Sequence, residues 1–166
     1  MTWQHPFDKK TITSRFATTV RRTSPHRGLD YAPGANALIK SVTAGKVELI
    51  QWSNCLGWVM VQSSASGKYY VGYSHLSCAR HGENCKGKAI GCKTPFKSLK
   101  KGQRIKLSQP VGRVGNTGEC SRGAHLHLTL STSLKGVFYG KVIDPEKFID
   151  KQQVQICKTC KQEIKK

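Results

Sequence analysis

Polar and apolar side chains alternate along residues 124–130, in the C-terminal third of the chain. Successive side chains of an extended strand point to opposite faces, so one face here carries leucines and the other carries histidines. The pattern predicts a strand anchored in a core by its leucines, with its imidazoles directed into a cleft or solvent. The apolar face comprises Ala124, Leu126, Leu128 and Leu130, and the polar face comprises His125, His127 and Thr129.

Other short segments, separated by turn-forming residues, predict further strands. They cover residues 11–16, 37–43, 46–51, 58–62, 68–77, 104–107 and 111–114. Ala44-Gly45 lies between the second and third segments and predicts a hairpin there. In the fifth segment, alternation places Tyr69, Val71, Tyr73 and His75 on one face.

One helix is predicted, over residues 145–153, with Asp144 as its N-cap and Pro145 at its first position. No repeat or linker divides the chain, so we expect a single all-β domain over residues 1–150 and a lysine-rich tail over 151–166. Residues 78–104 interrupt the strand pattern with three Cys and eight Lys or Arg. We interpret them as a basic, cysteine-rich insertion in the domain.

The net charge of the chain indicates the class of partner that it attracts. The 166 residues include 28 Lys and Arg against 9 Asp and Glu, which gives a formal net charge of +19 at pH 7. Such a protein is attracted to polyanions, which include nucleic acid, anionic lipid and the anionic polymers of a cell envelope. Because carboxylates are scarce, each one that lies near a histidine is a candidate for a functional role, and Asp30 is the clearest case.

The sequence has no apolar run of the ~20 residues needed to cross a bilayer. Its first ten residues also lack the apolar core of a secretory signal peptide. We therefore expect no transmembrane segment, and either synthesis in the cytosol or export by another route.

The seven cysteines are numerous for a cytosolic protein. Cys78, Cys85 and Cys92 are spaced seven residues apart, which matches no common zinc pattern, so one or two disulfides within the insertion are expected. Cys157 and Cys160 resemble half of a zinc ribbon whose second half is missing.

A second candidate for metal chemistry lies upstream. His26 and Asp30 are four residues apart, but Pro25, Gly28 and Pro33 argue against a helix in this segment. In an extended chain an even separation also places both side chains on one side. The segment therefore offers a nitrogen and an oxygen ligand in the same direction.

Three separated motifs together resemble the lysostaphin-type (LytM-like) zinc peptidases. They are His26-x-x-x-Asp30, Tyr73-Ser74-His75-Leu76 and Gly123-Ala124-His125-Leu126-His127, and they occur in the order in which that family has them. The resemblance covers roughly residues 12–148. Flanking segments that also match are Ser14-Arg15-Phe16, Ala44-Gly45-Lys46-Val47, residues 111–118 and Asp144-Pro145.

The resemblance implies a compact antiparallel β fold with an active-site groove and a duplicated hybrid motif. It also implies one zinc ion bound by His26, Asp30 and His127, and catalytic roles for His75 and His125. Two imidazoles and a carboxylate leave a fourth coordination position open, as catalytic zinc requires. The implied activity is hydrolysis of peptide bonds in peptidoglycan cross-bridges or stem peptides.

No His-Glu-x-x-His motif supplies a glutamate as general base, so a histidine or, less favourably, Glu119 takes that role. Residue types alone do not say which of His75 and His125 is the base. We expect a monomer that acts on the cell wall, encoded by a phage as a lysin or virion component, or else a secreted bacterial protein.

Two alternative functions fit parts of the sequence. One is a noncatalytic envelope-binding or regulatory module, but such relatives lose metal ligands, and all five site positions are present here. The other is a basic nucleic-acid-binding protein that uses Cys157 and Cys160 as a metal clip. The sequence has no helix-turn-helix or complete finger pattern, and its aromatic residues do not alternate with basic ones as a base-stacking surface requires.

Overall fold

The computed structural model describes residues 1–77 and 99–153. In these two ranges the chain forms a seven-stranded and a two-stranded sheet, a single 3-10 turn at Lys135–Val137 and one helix, α1, at 145–153. The strands are β1 (Ile12–Ser14), β2 (Leu29–Tyr31), β3 (Leu38–Lys40), β4 (Gly45–Ser53), β5 (Gly57–Ser64), β6 (Tyr70–Leu76), β7 (Arg104–Ile105), β8 (Pro110–Arg113) and β9 (Leu126–Ser131).

The large sheet has the strand order β1-β2-β9-β6-β5-β4-β7, and every neighbouring pair is antiparallel. This order places β9 between β2 and β6. The three motif-bearing parts of the sequence are thereby brought side by side, although β2 and β9 are about a hundred residues apart in the chain. The predicted all-β antiparallel class is confirmed.

The main core packs against one face of this sheet. It includes the three leucines of β9, as the alternation predicted, together with Leu29 and Tyr31 of β2 and Tyr73 of β6. Burial of apolar surface is the main source of stability for a domain of this size. The leucines therefore fix the register of β9, and that register directs His127 to the opposite face.

A smaller apolar cluster covers part of that opposite face. Val59 and Val61 of β5 contact Val137 of the 3-10 turn. Gly72 of β6 lies beneath this turn, and a Cβ atom there would be 2.3 Å from Val137 Cγ1, so a side chain at this position would displace the turn. The same face carries Asp30 and His127 further toward β2.

Helix α1 begins as predicted. Asp144 Oδ1 accepts hydrogen bonds from the backbone N–H groups of Glu146 (3.0 Å) and Lys147 (3.3 Å), which is the geometry of an N-cap. Phe148 packs edge-on against buried Trp3, with ring centroids 4.9 Å apart.

No helix in the described ranges has the length and apolar composition needed to cross a membrane.

The hairpin predicted around Ala44-Gly45 is wrong. Strand β3 pairs with β8 in the two-stranded sheet, whereas β4 pairs with β5 and β7. Between β3 and β4 the backbone bonds to side chains: Gln62 Nε2 donates to the Thr43 carbonyl (2.6 Å), and the Val42 N–H donates to the Tyr73 hydroxyl (3.0 Å). The chain therefore passes from one sheet to the other at this point.

Most of the predicted insertion, residues 78–98, lies outside the described residues, so its bounds of 78–104 stay a prediction. In its described part, Leu99 is buried in the main core and β7 begins at Arg104. Within the described chain a disulfide joins Cys55 to Cys120, one on each side of the insertion in the sequence. The expected disulfides among Cys78, Cys85 and Cys92, and the pair Cys157 and Cys160, also lie outside the described residues. The domain and tail boundaries remain predictions.

Candidate metal centre and active site

Three side-chain atoms converge on one point between β2 and β9. His26 Nε2 lies 3.1 Å from Asp30 Oδ1, His127 Nδ1 lies 2.9 Å from the same oxygen, and the two ring nitrogens are 3.0 Å apart. All three residues are buried. Asp30 and His127 are direct partners across the strand pair, so their side chains leave the sheet on the same side. The three atoms lie close enough together to hold one metal ion.

The ring of His26 is oriented from behind. Its Nδ1 lies 3.0 Å from the carbonyl oxygen of Arg15 and 3.2 Å from Ser14 Oγ. Because a carbonyl oxygen only accepts hydrogen bonds, Nδ1 of His26 carries a proton and donates it to Arg15. With the proton on Nδ1, the lone pair of Nε2 is directed toward Asp30. Such outer hydrogen bonds fix the tautomer of a metal-ligating histidine.

Asp30 is charged within a buried setting. Burial alone would raise the pKa of its carboxyl group, but the neighbouring imidazoles of His127 and His26 outweigh burial and hold it well below its usual range. The second carboxylate oxygen, Oδ2, accepts a hydrogen bond from Arg22 Nη2 at 2.9 Å. Oδ1 is thus the oxygen that faces the histidines.

Burial favours the neutral form of His127. Burial is the main cause that lowers the pKa of its imidazole, and it outweighs the opposing hydrogen bond with Asp30. Its ring packs against the backbone of Gly28. A Cβ atom at that glycine would lie 2.7 Å from His127 Cε1 and 2.5 Å from the Leu128 carbonyl oxygen. The absence of a side chain at residue 28 is what allows β2 and β9 to close around the site.

His75 reaches the site through a β-bulge. Trp58 pairs with Leu76 and Met60 pairs with Tyr73, so two residues of β6 lie opposite one residue of β5. His75 has a φ of 59°, in the left-handed region that non-glycine residues rarely adopt. The predicted placement of His75 on the same face as Tyr73 is therefore wrong, because Tyr73 lies in the core while the His75 ring packs against the ring of His125.

Burial is also the main cause that lowers the pKa of His75, to about 3, with the neighbouring imidazoles of His125 and His127 acting in the same direction. The ring is anchored by its Nδ1, which donates to the Thr117 carbonyl oxygen at 2.8 Å. At neutral pH His75 is therefore uncharged, and its Nε2 lone pair is available as a hydrogen-bond acceptor.

His125 completes the group. Its Nδ1 donates to the Gly123 carbonyl oxygen at 2.8 Å, and its Nε2 lies 3.8 Å from Asp30 Oδ1. Its ring centroid is 4.6 Å from that of His75. Its side chain is 18% exposed, against 2% for that of His26, so His125 is accessible from solvent. All five residues expected at the site are thus brought together.

Two supporting groups were not predicted from the sequence. Arg22 contacts Asp30 from within the basic loop, and the scarcity of carboxylates could have suggested that an arginine nearby would pair with it. The Thr117 carbonyl that anchors His75 gives no sequence signal, because any residue has a carbonyl. Glu119, considered as a base, is exposed, and its backbone N–H donates to the Asn54 carbonyl oxygen rather than to any of the five site residues.

An antiparallel sheet that gathers two imidazoles and a carboxylate around one point, with two more histidines beside it, is the arrangement of a mononuclear metal-dependent hydrolase. Residues 24–145 match peptidase family M23, and the chain belongs to that family. The predicted resemblance to the lysostaphin-type peptidases is confirmed.

The similar proteins include longer ones. A protein described as an uncharacterized metalloprotease, from Buchnera aphidicola subsp. Baizongia pistaciae (strain Bp), is 28% identical over 134 residues; the match covers 80% of this chain and 28% of that protein. The crystal structure of a zinc containing peptidase from Vibrio cholerae is 27% identical, with a TM-score of 0.62, over 87% of this chain and 39% of that one. This chain therefore spans well under half the length of both.

Two further solved structures match over most of both chains. LytU is 27% identical with a TM-score of 0.66 and 90% coverage of each chain. The catalytic domain of the antimicrobial peptidase lysostaphin from Staphylococcus simulans has a TM-score of 0.64 at 20% identity, over 84% of this chain and 91% of that one. The likeness to lysostaphin concerns the fold alone, and together the two matches confirm the predicted lysostaphin-like architecture.

Proposed function

We propose that this chain is a zinc-dependent endopeptidase that hydrolyses peptide bonds in peptidoglycan. The observation that carries the proposal is the convergence of His26 Nε2, Asp30 Oδ1 and His127 Nδ1 beside two further histidines. Two nitrogen ligands and one oxygen ligand suit zinc and leave a coordination position for water or substrate. The zinc containing peptidase from Vibrio cholerae among the similar structures supports this choice of metal.

Zinc held by these residues would supply two effects: it would lower the pKa of a water molecule toward ~7 and would polarise a substrate carbonyl. The proposed ligands Asp30 and His127 have the protonation states that a metal requires before any metal binds. Asp30 is held ionised, and His127 is held neutral by burial, so neither has to change its protonation state to become a ligand. The Arg15 carbonyl and Arg22 keep His26 and Asp30 in their orientations.

We assign different roles to the two remaining histidines. His125 is the proton carrier, because its Nε2 lies near the ligand atoms and its side chain is accessible. It accepts a proton at Nε2 as the nucleophile attacks and returns it to the leaving amine. His75 stays neutral and accepts a hydrogen bond at Nε2, which orients the group that reacts with the carbonyl carbon.

Two features support the cell wall as the place of action. The net charge of +19 draws the chain to anionic envelope polymers. The Cys55–Cys120 disulfide fits an oxidising compartment rather than the cytosol. We propose that the chain acts on peptidoglycan outside the cytoplasm, at a cross-bridge or a stem peptide, as a phage lysin or a secreted bacterial enzyme.

The test is a set of five single alanine variants in which zinc content and peptidoglycan hydrolysis are measured separately. Variants of His26, Asp30 and His127 are expected to lose zinc and activity together. Variants of His75 and His125 are expected to keep about one zinc per chain and to lose turnover by at least about 100-fold. Loss of zinc in His125→Ala with full retention in His127→Ala would overturn the assignment.

A further inference from the structure

The Cys55–Cys120 disulfide joins two loops beside the candidate active site. Cys55 lies in the turn between β4 and β5, and Cys120 lies in the segment that leads from β8 to β9. Two backbone hydrogen bonds accompany the disulfide: the Glu119 N–H donates to the Asn54 carbonyl (2.7 Å), and the Cys120 N–H donates to the Cys55 carbonyl (3.1 Å). Both cysteines are exposed, so a reductant or oxidant can reach them.

His75 is held by both of the joined loops. Its backbone N–H donates to the Leu56 carbonyl oxygen at 2.8 Å, and its Nδ1 donates to the Thr117 carbonyl oxygen at 2.8 Å. The Thr117 hydroxyl in turn accepts from the Trp58 N–H and donates to the Leu76 carbonyl. His75 has a strained positive φ, and such a conformation persists only where its surroundings determine it.

His125 is held by the same segment that carries Cys120. Its Nδ1 donates to the Gly123 carbonyl oxygen, and the Ser121 hydroxyl bridges that carbonyl (3.0 Å) and Asn116 Oδ1 (2.6 Å). The position of this imidazole therefore depends on the fold of residues 116–123.

The two loops meet backbone to backbone. A Cβ atom on Gly118 would lie 2.2 Å from the Gly57 nitrogen, and one on Gly57 would lie 2.4 Å from the Thr117 carbonyl carbon. Only glycines permit this approach, so a small separation of the loops would remove these contacts together. By contrast, the proposed metal ligands His26 and Asp30 are oriented by the Arg15 carbonyl and by Arg22, which lie outside both loops, and the contact of Asp30 with this segment is the 3.8 Å approach of His125 Nε2.

We propose that the Cys55–Cys120 disulfide positions His75 and His125, so that the hydrolytic site is complete only in the oxidised protein. The catalytic consequence rests on the function proposed above. In the reduced state the loops carry two thiols and the histidines lose their common support, while the metal ligands stay in place. The chain is thereby restrained in a reducing cytosol and becomes active in an oxidising compartment.

The redox step is a thiol–disulfide exchange. The thiols of Cys55 and Cys120 give up two electrons and two protons to an oxidised disulfide, which becomes a dithiol as the new S–S bond forms. Reduction by a trialkylphosphine runs the other way: water supplies the oxygen, the phosphine becomes a phosphine oxide, and two thiols are released. A phosphine is preferred to a dithiol in the test, because thiolates bind zinc.

The experiment compares the oxidised and phosphine-reduced forms of the zinc-loaded full chain. We expect the rate of fragment release from purified peptidoglycan to fall at least tenfold on reduction and to recover on reoxidation, with zinc content unchanged. Histidine side-chain NMR is expected to show shifted or broadened resonances for His75 and His125, and unchanged ones for His26 and His127. The NMR readout needs no activity, so it decides the positioning claim even where no hydrolysis is found in either state.

Two variants localise the effect. The double variant Cys55→Ser/Cys120→Ser is expected to release fragments at the rate of the reduced wild type, and phosphine is expected not to change that rate. The matched control replaces the five other cysteines with serine and is expected to keep the tenfold response. These five are Cys78, Cys85, Cys92, Cys157 and Cys160.

Three results would overturn the proposal. The first is a rate that differs by less than twofold between the redox states of an active enzyme. The second is an unchanged set of His75 and His125 resonances. The third is loss of the near-UV circular dichroism of the whole domain on reduction, which would make the disulfide a general stabiliser only.

Discussion

Asp30 shows how single residues set the chemistry of the candidate site. Its two carboxylate oxygens face different partners: Oδ1 faces the imidazoles of His26 and His127, and Oδ2 bonds to Arg22. Because the guanidinium occupies Oδ2, the carboxylate is presented to a metal through one oxygen in a fixed orientation. We therefore expect Arg22 to affect metal binding through Asp30, as outer-sphere partners of metal ligands do.

Replacing Arg22 with glutamine is expected to weaken zinc binding by about 10–100-fold, because Asp30 loses the bond that orients it. Competition with a chromogenic chelator measures this affinity directly. Arg21→Gln removes the same charge from the neighbouring position, where no ion pair with Asp30 is present in the described structure, and should leave the affinity within about twofold. Equal loss in both variants would point to a general charge effect instead.

His75 predicts how the stability of the metal-free protein depends on pH. Its pKa is about 3 in the folded protein, against 6.5 for an unperturbed histidine such as that of the unfolded chain. Below pH 6.5 the unfolded chain therefore binds a proton at this residue that the folded protein does not bind. Its contribution is therefore complete above pH 6.5 and falls by up to about 1.4 kcal/mol per pH unit as the pH drops toward 3. Urea unfolding at pH 7 and pH 5 should show a smaller loss for His75→Gln than for the wild type. Identical losses would contradict the buried, neutral state of His75.

At the scale of elements, close packing between β2 and β9 positions the proposed ligands Asp30 and His127. Gly28→Ala would place a methyl group 2.5 Å from the Leu128 carbonyl oxygen and 2.7 Å from His127 Cε1. We expect a loss of about 1–3 kcal/mol in the free energy of unfolding, and weaker zinc binding as His127 is displaced. Gly123→Ala is the matched control, since a Cβ there meets nothing within 4 Å. Chemical denaturation and chelator competition on both variants test the prediction. Equal stability and equal zinc affinity in the two variants would contradict it.

The sequence predicts elements whose pattern is local. Alternation along β9 correctly separated the core leucines from His127, and Asp144 correctly marked the start of α1. The motifs named five residues that the structure brings together, although spacing along the chain says nothing about how β2, β6 and β9 are ordered in the sheet. That order depends on pairing between distant segments, which no local pattern encodes.

The wrong predictions also arise because pairing between distant segments is not encoded in a local pattern. A β-bulge shifts the face of every residue beyond it, so the alternation that placed Tyr73 correctly failed two residues later at His75. Ala44-Gly45 has the composition of a hairpin turn, but β3 pairs with β8 and β4 pairs with β5. The Cys55–Cys120 pair spans 65 positions, and seven cysteines allow many pairings.

At the scale of the whole molecule, charge is expected to act separately from the chemistry. The net charge of +19 attracts the chain to anionic envelope polymers over a range limited by a screening length of ~8 Å at physiological ionic strength. Groups buried at the site are screened much less. Salt should therefore depress hydrolysis of whole envelopes while nearly sparing cleavage of a small soluble peptide.

Neutralising exposed cations should mimic salt. Candidates on and beside β7 are Lys100, Lys101, Arg104 and Lys106. The combined glutamine variant is expected to lose envelope hydrolysis but keep peptide cleavage and zinc content, as measured on both substrates at about 50 and 300 mM salt. Equal salt sensitivity for the two substrates would contradict recruitment by charge. Tight, sequence-selective binding to DNA would favour the nucleic-acid alternative.

The central claim is that the five clustered residues hydrolyse a peptide bond of peptidoglycan with the help of one metal ion. Mass spectrometry of the fragments released from chemically defined peptidoglycans tests it most directly. We expect fragments with new amino termini, at a cross-bridge or stem-peptide bond, that require zinc and vanish with chelator and in His125→Ala. Release of glycan fragments with new reducing ends and no new amino groups, or no release by the zinc-loaded oxidised protein, would contradict it.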